Sequence, residues 1–170
     1  MLKQFHYNIE EMLRDKAPLF LLLENIQDPG NLGTMLRTGE GAGVSGIIMS
    51  RDTVDLYNPK VIRSTMGSIY RVPFYYADDF AAAVHQVQRA GVSVYAAHLR
   101  GKNSYACQDY TKGTAFLIGN EGNGLREETA ELADCYIRIP MEGKVESLNA
   151  AVASSILMYE AHRQRATIEK

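Results

Sequence analysis

Short, uninterrupted apolar runs alternate along the chain with longer stretches whose apolar residues recur every three or four positions. LFLLL at 19–23, GIIM at 46–49, VSVYAA at 92–97, TAFLI at 114–118 and CYIRI at 135–139 predict strands. These runs do not alternate with polar residues, so the sheet they form must be covered on both faces. Between them, helical spacing predicts helices over residues 31–42, Pro59–Thr65, 78–90, 125–133 and 147–163. Asn58-Pro59 is a helix start, because asparagine accepts from orphan N–H groups and proline fits the first helical position. Strand–helix alternation builds βαβ units. The fold class is therefore α/β, a mostly parallel sheet with helices on both faces.

Composition narrows this without redirecting it. With 170 residues, 46% hydrophobic and 22% charged, the chain suits one core, and no Pro/Gly/Ser-rich linker, repeat or low-complexity tract divides it. Residues 1–17 stand apart as a polar, amphipathic segment (Phe5, Ile9, Met12, Leu13) ending at Lys16-Ala17-Pro18, which reads as a packing helix or a linker; residues 18–170 form the domain. Cys107 and Cys135 have no second pair and no CxxC spacing, which fits a reducing, cytoplasmic setting. The start MLKQFHYNIEEML is too polar for a signal peptide, and no apolar run approaches the ~18 residues of a spanning helix, which excludes export and a membrane partner. His6, His85, His98 and His162 are scattered without ligand spacing, so no metal site is expected, and no GxSxG points to a hydrolase. The balance of 18 basic against 20 acidic residues offers no overall electrostatic case for nucleic acid. Locally, residues 31–75 hold five basic against three acidic side chains, so two copies brought together would form a basic groove.

Ligands of open α/β sheets bind at strand carboxyl ends, which singles out three segments. In Asn25-Ile26-Gln27-Asp28-Pro29-Gly30-Asn31-Leu32-Gly33, a Pro-Gly turn leads into a helix that carries Arg37, with Asn31 near its N-terminus, where an anion is favoured. Arg37 is six residues beyond Asn31, about 120° around a helix from it. The pair reads equally as a capping asparagine and a surface arginine. Gly119-Asn120-Glu121-Gly122-Asn123-Gly124 follows the strand TAFLI; its glycines allow close backbone approach and leave amides free for a ligand, with Glu121 held in the turn. It is neither a Walker loop nor GxGxxG, and it reads equally as a plain turn before a helix. The third segment runs from Ile139-Pro140-Met141 through Ser147-Leu148-Asn149 into a helix rich in small residues, with Ser147 or a neighbour as its cap.

Taken together, the three segments resemble the SpoU/TrmH branch of the SPOUT class of RNA methyltransferases. The first motif is similar to Asn31 through Arg37, the second to Leu117-Ile118-Gly119-Asn120-Glu121-Gly122, and the third to Ile139-Pro140-Met141 followed by Ser147-Leu148-Asn149. The resemblance covers residues 18–165. It implies a C-terminal deep trefoil knot, which periodicity does not reveal, and a homodimer with the active site near the subunit interface. It implies binding of S-adenosyl-L-methionine in the knot and methylation of a ribose 2′-hydroxyl in rRNA or tRNA. Gly119, Gly122, Ile139, Met141 and Leu148 would then bind the cofactor, and Arg37, Asn31, Glu121, Ser147 and Asn149 would form the catalytic constellation. A guanidinium offers no acceptor, so we expect Arg37 to clamp phosphate and stabilise the developing oxyanion while the other four orient it and the sugar.

Two departures from the family pattern stand out. Relatives often carry an added N-terminal RNA-recognition domain, whereas only 17 residues precede this one. Ala150-Ala151 follows Asn149 where many relatives have a larger residue first. The competing expectation is an RNA- or cofactor-binding dimer that lacks turnover on its own; a conventional, unknotted nucleotide-binding domain is a third.

Overall fold

The computed structural model describes residues 7–168. Its strands are β1 (Leu19–Leu23), β2 (Gly46–Ser50), β3 (Phe74–Ala77), β4 (Ser93–Ala97), β5 (Asn103–Ser104), β6 (Thr114–Ile118) and β7 (Cys135–Arg138). They form one sheet in the order β3-β2-β1-β6-β4-β7-β5, and every pairing is parallel. The strand LFLLL occupies an interior position, with Leu21 opposite Ile47 on one side and Phe116 on the other, and all five of its residues are buried.

The helices are α1 (Ile9–Met12), α2 (Pro29–Ala42), α3 (Pro59–Thr65), α4 (Phe80–Arg89), α5 (Glu127–Ala130) and α6 (Ala150–Ile168). Strand side chains alternate between two cores, as the period of two requires. Leu19, Leu21, Leu23, Ile47 and Met49 pack with Leu36, Val61 and Leu157 of α2, α3 and α6. Phe20, Leu22, Ile48 and Leu117 pack with Met12, Val84 and Val87 of α1 and α4. In the N-terminal segment, Ile9 and Met12 are buried against the sheet; Phe5 lies outside the described residues. None of the described helices is long and apolar enough to cross a membrane.

Several boundaries differ from the sequence pattern for local reasons. The helix expected from residue 31 starts at Pro29, because Asp28 rather than Asn31 is the cap, its carboxylate accepting the Asn31 N–H at 2.7 Å. The helix expected over 125–133 contracts to α5: Arg126 is its cap, with extended backbone, and from Leu132 on the N–H groups bond three residues back, to Thr129 and Ala130, instead of four. The last helix starts at Ala150 rather than 147 and runs to Ile168; Asn149 caps it, its side-chain oxygen accepting from the N–H groups of Ala151 (2.9 Å) and Val152 (3.2 Å). FYYA at 74–77 was not expected as a strand. It is a four-residue edge strand with half-buried tyrosines, and its pairing with β2 is what orders it.

α2 is held from two sides. Its Gly33 crosses α3 so closely that a Cβ there would come within 1.7 Å of Ser64 Oγ. Along another face runs α6, where Ser155 donates to Thr38 at 3.4 Å and the Tyr159 hydroxyl sits over Gly41. The far end of α6 is pinned by polar contacts. Arg165 donates to the carbonyls of Tyr110 (2.9 Å), Ala17 (2.8 Å) and Lys112 (2.9 Å), while Gln164 bridges the Gln108 carbonyl and the Tyr110 N–H. One guanidinium thus joins the last helix to the approaches of β1 and β6. We expect Arg165→Met, which keeps the apolar stem, to lower unfolding free energy by about 2 kcal/mol in urea titration, because four carbonyls, that of Pro18 included, lose a charged donor.

Candidate active site

The strand order reverses at β1. From it the chain steps outward through β2 and β3, whereas β6, β4 and β7 lie on its other side. In open parallel sheets, the crevice beyond the carboxyl ends at such a reversal is where ligands sit. The loop after β1 leads into α2, and the loop after β6 lies beside it.

The loop after β6 folds tightly on itself. A Cβ at Gly119 would come 2.2 Å from both the Gly124 carbonyl carbon and the Leu125 nitrogen, so only glycine allows this backbone contact. Asn120 and Gly124 exchange backbone hydrogen bonds of 3.0 and 2.9 Å, and the Asn120 side-chain oxygen accepts from the N–H groups of Gly122 and Asn123. This corrects the expectation of free amides: those of Gly122, Asn123 and Gly124 are occupied within the loop. Its far end is anchored by Glu24, a carboxylate buried at the end of β1 that accepts from the Arg126 N–H and the Thr129 hydroxyl; the Arg126 guanidinium also pairs with Asp52. Sequence reading missed Glu24 and Arg126. The available signal was a charge directly after the apolar run LFLLL.

Glu121 projects from this loop to the start of α2. Its carboxylate accepts from the backbone N–H groups of Asp28 (2.9 Å) and Gln27 (3.1 and 3.2 Å) and from the side-chain amide of Asn31 (3.2 Å). Asn31 in turn accepts from the Asn149 side-chain amide at 3.0 Å. Thus Glu121, Asn31 and Asn149, one from each sequence motif, form a continuous hydrogen-bonded chain that ends in the cap of α6. Partial burial pushes the Glu121 carboxyl up, but the N–H groups of Asp28 and Gln27 and the Asn31 amide outweigh it and hold the group below the usual glutamate range.

Beside this chain opens a cavity of about 310 Å³, lined by residues 97–99, 118–125, 137–139, 141, 146–148, Ala150 and Ala153. Gly119, Gly122, Ile139, Met141 and Leu148 all line it, as do Glu121 and Ser147. Its size and mixed walls of backbone, aliphatic and polar groups are those of a small-molecule pocket. Asn31 and Asn149 brace its margin without lining it. Ser147 is exposed, on the approach to α6 rather than at its cap. Arg37 is also exposed, makes no hydrogen bond or ion pair among the described residues and does not line the cavity. The helical offset from Asn31 explains this, since the face that turns Asn31 toward Glu121 turns Arg37 away. His98, which sequence reading set aside with the other histidines, is on the cavity wall. No group of three or more His, Cys, Asp or Glu side chains among the described residues could hold a metal ion.

The fold and pocket define a parallel α/β protein whose ligand site is made by loops after β4, β6 and β7, not by a glycine-rich first turn. Residues 18–159 match the SpoU rRNA Methylase family, and the chain belongs to that family. It is 37% identical over 139 residues to the 23S rRNA (guanosine(2553)-2′-O)-methyltransferase RlmP of Bacillus subtilis, covering 82% of this chain and 56% of that protein. The SpoU methyltransferase AviRb from Streptomyces viridochromogenes, in complex with AdoMet, superposes with a TM-score of 0.87 at 31% identity, covering 94% of this chain and 62% of that one. A structure described as giving insight into 2-OH methylation of C/U34 on tRNA superposes with a TM-score of 0.81 at 32% identity, covering 90% of this chain and 99% of that one. The chain spans little more than half the length of the curated relatives it matches first, 56% and 54%.

The Glu121 fastening has a pH signature. Its contribution is present above the unfolded glutamate value of about 4.3 and is lost as pH falls through the lower folded value. At neutral pH Glu121→Gln places an N–H₂ among N–H donors and should cost about 1–2 kcal/mol, a figure reduced for partial exposure. Urea midpoints of the two proteins should converge in acid; a gap that persists there would show that the carboxylate charge is not what holds the loops.

Proposed function

We propose that the chain is the catalytic unit of an RNA 2′-O-methyltransferase that moves a methyl group from S-adenosyl-L-methionine to a ribose 2′-hydroxyl in rRNA or tRNA. The observation that carries this reading is the hydrogen-bonded chain Glu121–Asn31–Asn149 beside a small-molecule cavity in a member of the SpoU family. The named activities of its relatives support it, as does the AdoMet complex of AviRb.

The residues present fit the cofactor. Backbone groups around Gly119, Ile139 and Leu148 would hold the adenosine part, with Gly122 and Met141 completing the wall; all five residues line the one cavity, among backbone and aliphatic groups, which supports this assignment. When bound, S-adenosyl-L-methionine supplies an electrophilic methyl group, and transfer from a sulfonium needs no metal. A 2′-hydroxyl is a weak nucleophile, so charge developing on its oxygen must be stabilised. Arg37, a donor-only group, clamps an RNA phosphate and stabilises that charge. Ser147, Asn31, Glu121 and Asn149 orient the sugar and the guanidinium, and Glu121 does so as a fixed carboxylate.

The reading includes a homodimer and a deep trefoil knot in a cytoplasmic enzyme. Arg37 stands outside its own chain's cavity, which supports a site completed near the subunit interface by a second copy. The return of the chain from β7 past the β4 and β6 loops, to pack α6 against α2, supports the knot. A binding dimer without turnover is favoured only by the chain's share of its longer relatives.

Tritiated methyl transfer from labelled cofactor to total unmodified RNA tests the reading. We expect incorporation, lowered about 10²–10³-fold by Arg37→Ala and barely recovered by Arg37→Lys. Near-normal turnover of Arg37→Lys at unchanged RNA affinity would rule out the clamp, and cofactor binding without incorporation would favour the binding dimer.

A further inference from the structure

Among the described residues, Glu24 is the only charged side chain that is buried, and methyl transfer does not call on it. It directly follows β1. One of its carboxylate oxygens accepts the Arg126 backbone N–H at 2.8 Å, and the other accepts the Thr129 hydroxyl and, at 3.4 Å, the Arg126 guanidinium. All these donors belong to the chain that leaves the glycine loop. The chain that enters the loop meets the same place through the backbone: the Glu24 N–H donates to the Ile118 carbonyl at 2.9 Å, and the Asn120 side-chain amide donates to the Asn25 carbonyl at 2.8 Å. Entry and exit of the loop are thus both tied to residues 24 and 25.

The shape of the loop and its seat are set separately. Its shape is internal, since Gly119 packs on Gly124 and Leu125, and the Asn120 side chain takes the N–H groups of Gly122 and Asn123. Its seat is not secured by close packing: Glu24 and Asn25 share a crevice of about 130 Å³ with Asn120 and residues 123–126. A loop that closes on itself and borders a gap can shift as a body. The Glu24 carboxylate opposes that shift at the exit. The same backbone matters to the cofactor site, because residues 118–125 are part of the wall of the 310 Å³ cavity, which Glu24 itself does not line.

We propose that Glu24 is a positioning residue for the cofactor, holding the wall formed by residues 119–125 in place through the Arg126 N–H. This rests on the methyltransferase reading and deepens it. A carboxylate suits the task because its two oxygens accept from two directions at once, and burial makes a donor left without an acceptor costly. The Arg126 guanidinium has Asp52 as a second partner, so the N–H is the tie that depends on Glu24. Glutamine can do nearly the same, its oxygen accepting that N–H while its N–H₂ donates to the Thr129 hydroxyl, which is an acceptor as well as a donor. Alanine leaves the Arg126 N–H without its acceptor. Aspartate keeps the charge but holds it one methylene short. A contribution to fold stability alone would instead follow the total loss of folding energy, wherever in the protein that loss is made.

Calorimetric titration of the full chain with S-adenosyl-L-methionine, together with amide hydrogen exchange of the cofactor-free protein followed by NMR, tests this. Glu24→Ala should bind the cofactor about tenfold more weakly than wild type and Glu24→Asp about three- to tenfold, while Glu24→Gln should stay within about threefold. Glu24→Asp, the milder change, carries the test if Glu24→Ala does not fold. The Arg126 amide should exchange at least about tenfold faster in Glu24→Asp than in wild type, and Glu24→Gln should restore most of its protection. Val87→Ala, which removes buried volume from the core on the other face of the sheet, should lower the urea midpoint yet leave cofactor affinity within about twofold. Glu24→Asp binding as tightly as wild type, Glu24→Gln binding no better than Glu24→Asp, weakened binding with the Arg126 amide still protected, or Val87→Ala losing affinity in proportion to its midpoint would overturn the role of Glu24 and leave the methyltransferase reading standing. Wild type binding no cofactor would overturn both.

Discussion

The Glu121 carboxylate, set among the N–H groups that open α2, is the constraint on which the rest of the site depends. A carboxylate there satisfies donors that the end of a helix leaves unpaired, and it does so from a loop more than ninety residues away in sequence. The same bond network continues through Asn31 to Asn149 and so to the first N–H groups of α6. Three loops that would otherwise move independently thereby become one rigid margin. The cavity takes its shape from that margin, because two of its walls are the loop that carries Glu121 and the segment that ends at Asn149.

The sheet makes this meeting possible. Parallel strands place all their carboxyl ends along one edge, and the order around β1 brings the β1 and β6 ends together. Glu24 and Arg126 then lock the far end of the glycine loop to β1, so the loop is fixed at both ends, at Gly119 by backbone contact and at Arg126 by a buried carboxylate. An ion pair with only its carboxylate buried adds little net stability but penalises any loop arrangement that would leave the Glu24 charge unpaired. α6 closes the structure. Asn149 holds one end at the site and Arg165 the other against the approaches of β1 and β6. Small residues between them, Ala151 and Ser154, let the helix lie close to its neighbours.

The legible part of this architecture was the part written in local patterns. Five mostly apolar runs marked strands, three of them fully buried, and Asn58-Pro59 marked the start of α3. Long-range chemistry was not legible. The Arg126 N–H, at the cap of α5, is taken by Glu24, a residue 102 positions away. Asp28 displaces Asn31 as a cap because Asn31 is engaged by Glu121 and Asn149. The glycines of 119–124 suggested open amides, yet Asn120 closes them, and a side chain that folds back over its own loop leaves no trace in spacing. The motif grouped Arg37 with Asn31, while helix geometry separates them within one chain.

A double-mutant cycle on cofactor affinity, combining Glu121→Gln with Asn149→Ala, tests most directly whether the three loops act as one unit. Neither side chain donates to the other, so any coupling must pass through Asn31. A shared network predicts that the double variant loses less than the two single losses together, with a coupling of about 1 kcal/mol, or about fivefold in affinity. Losses that add to within about 0.3 kcal/mol would mean that the loops hold their ligand independently, and that the hydrogen-bonded chain is a juxtaposition without energetic consequence.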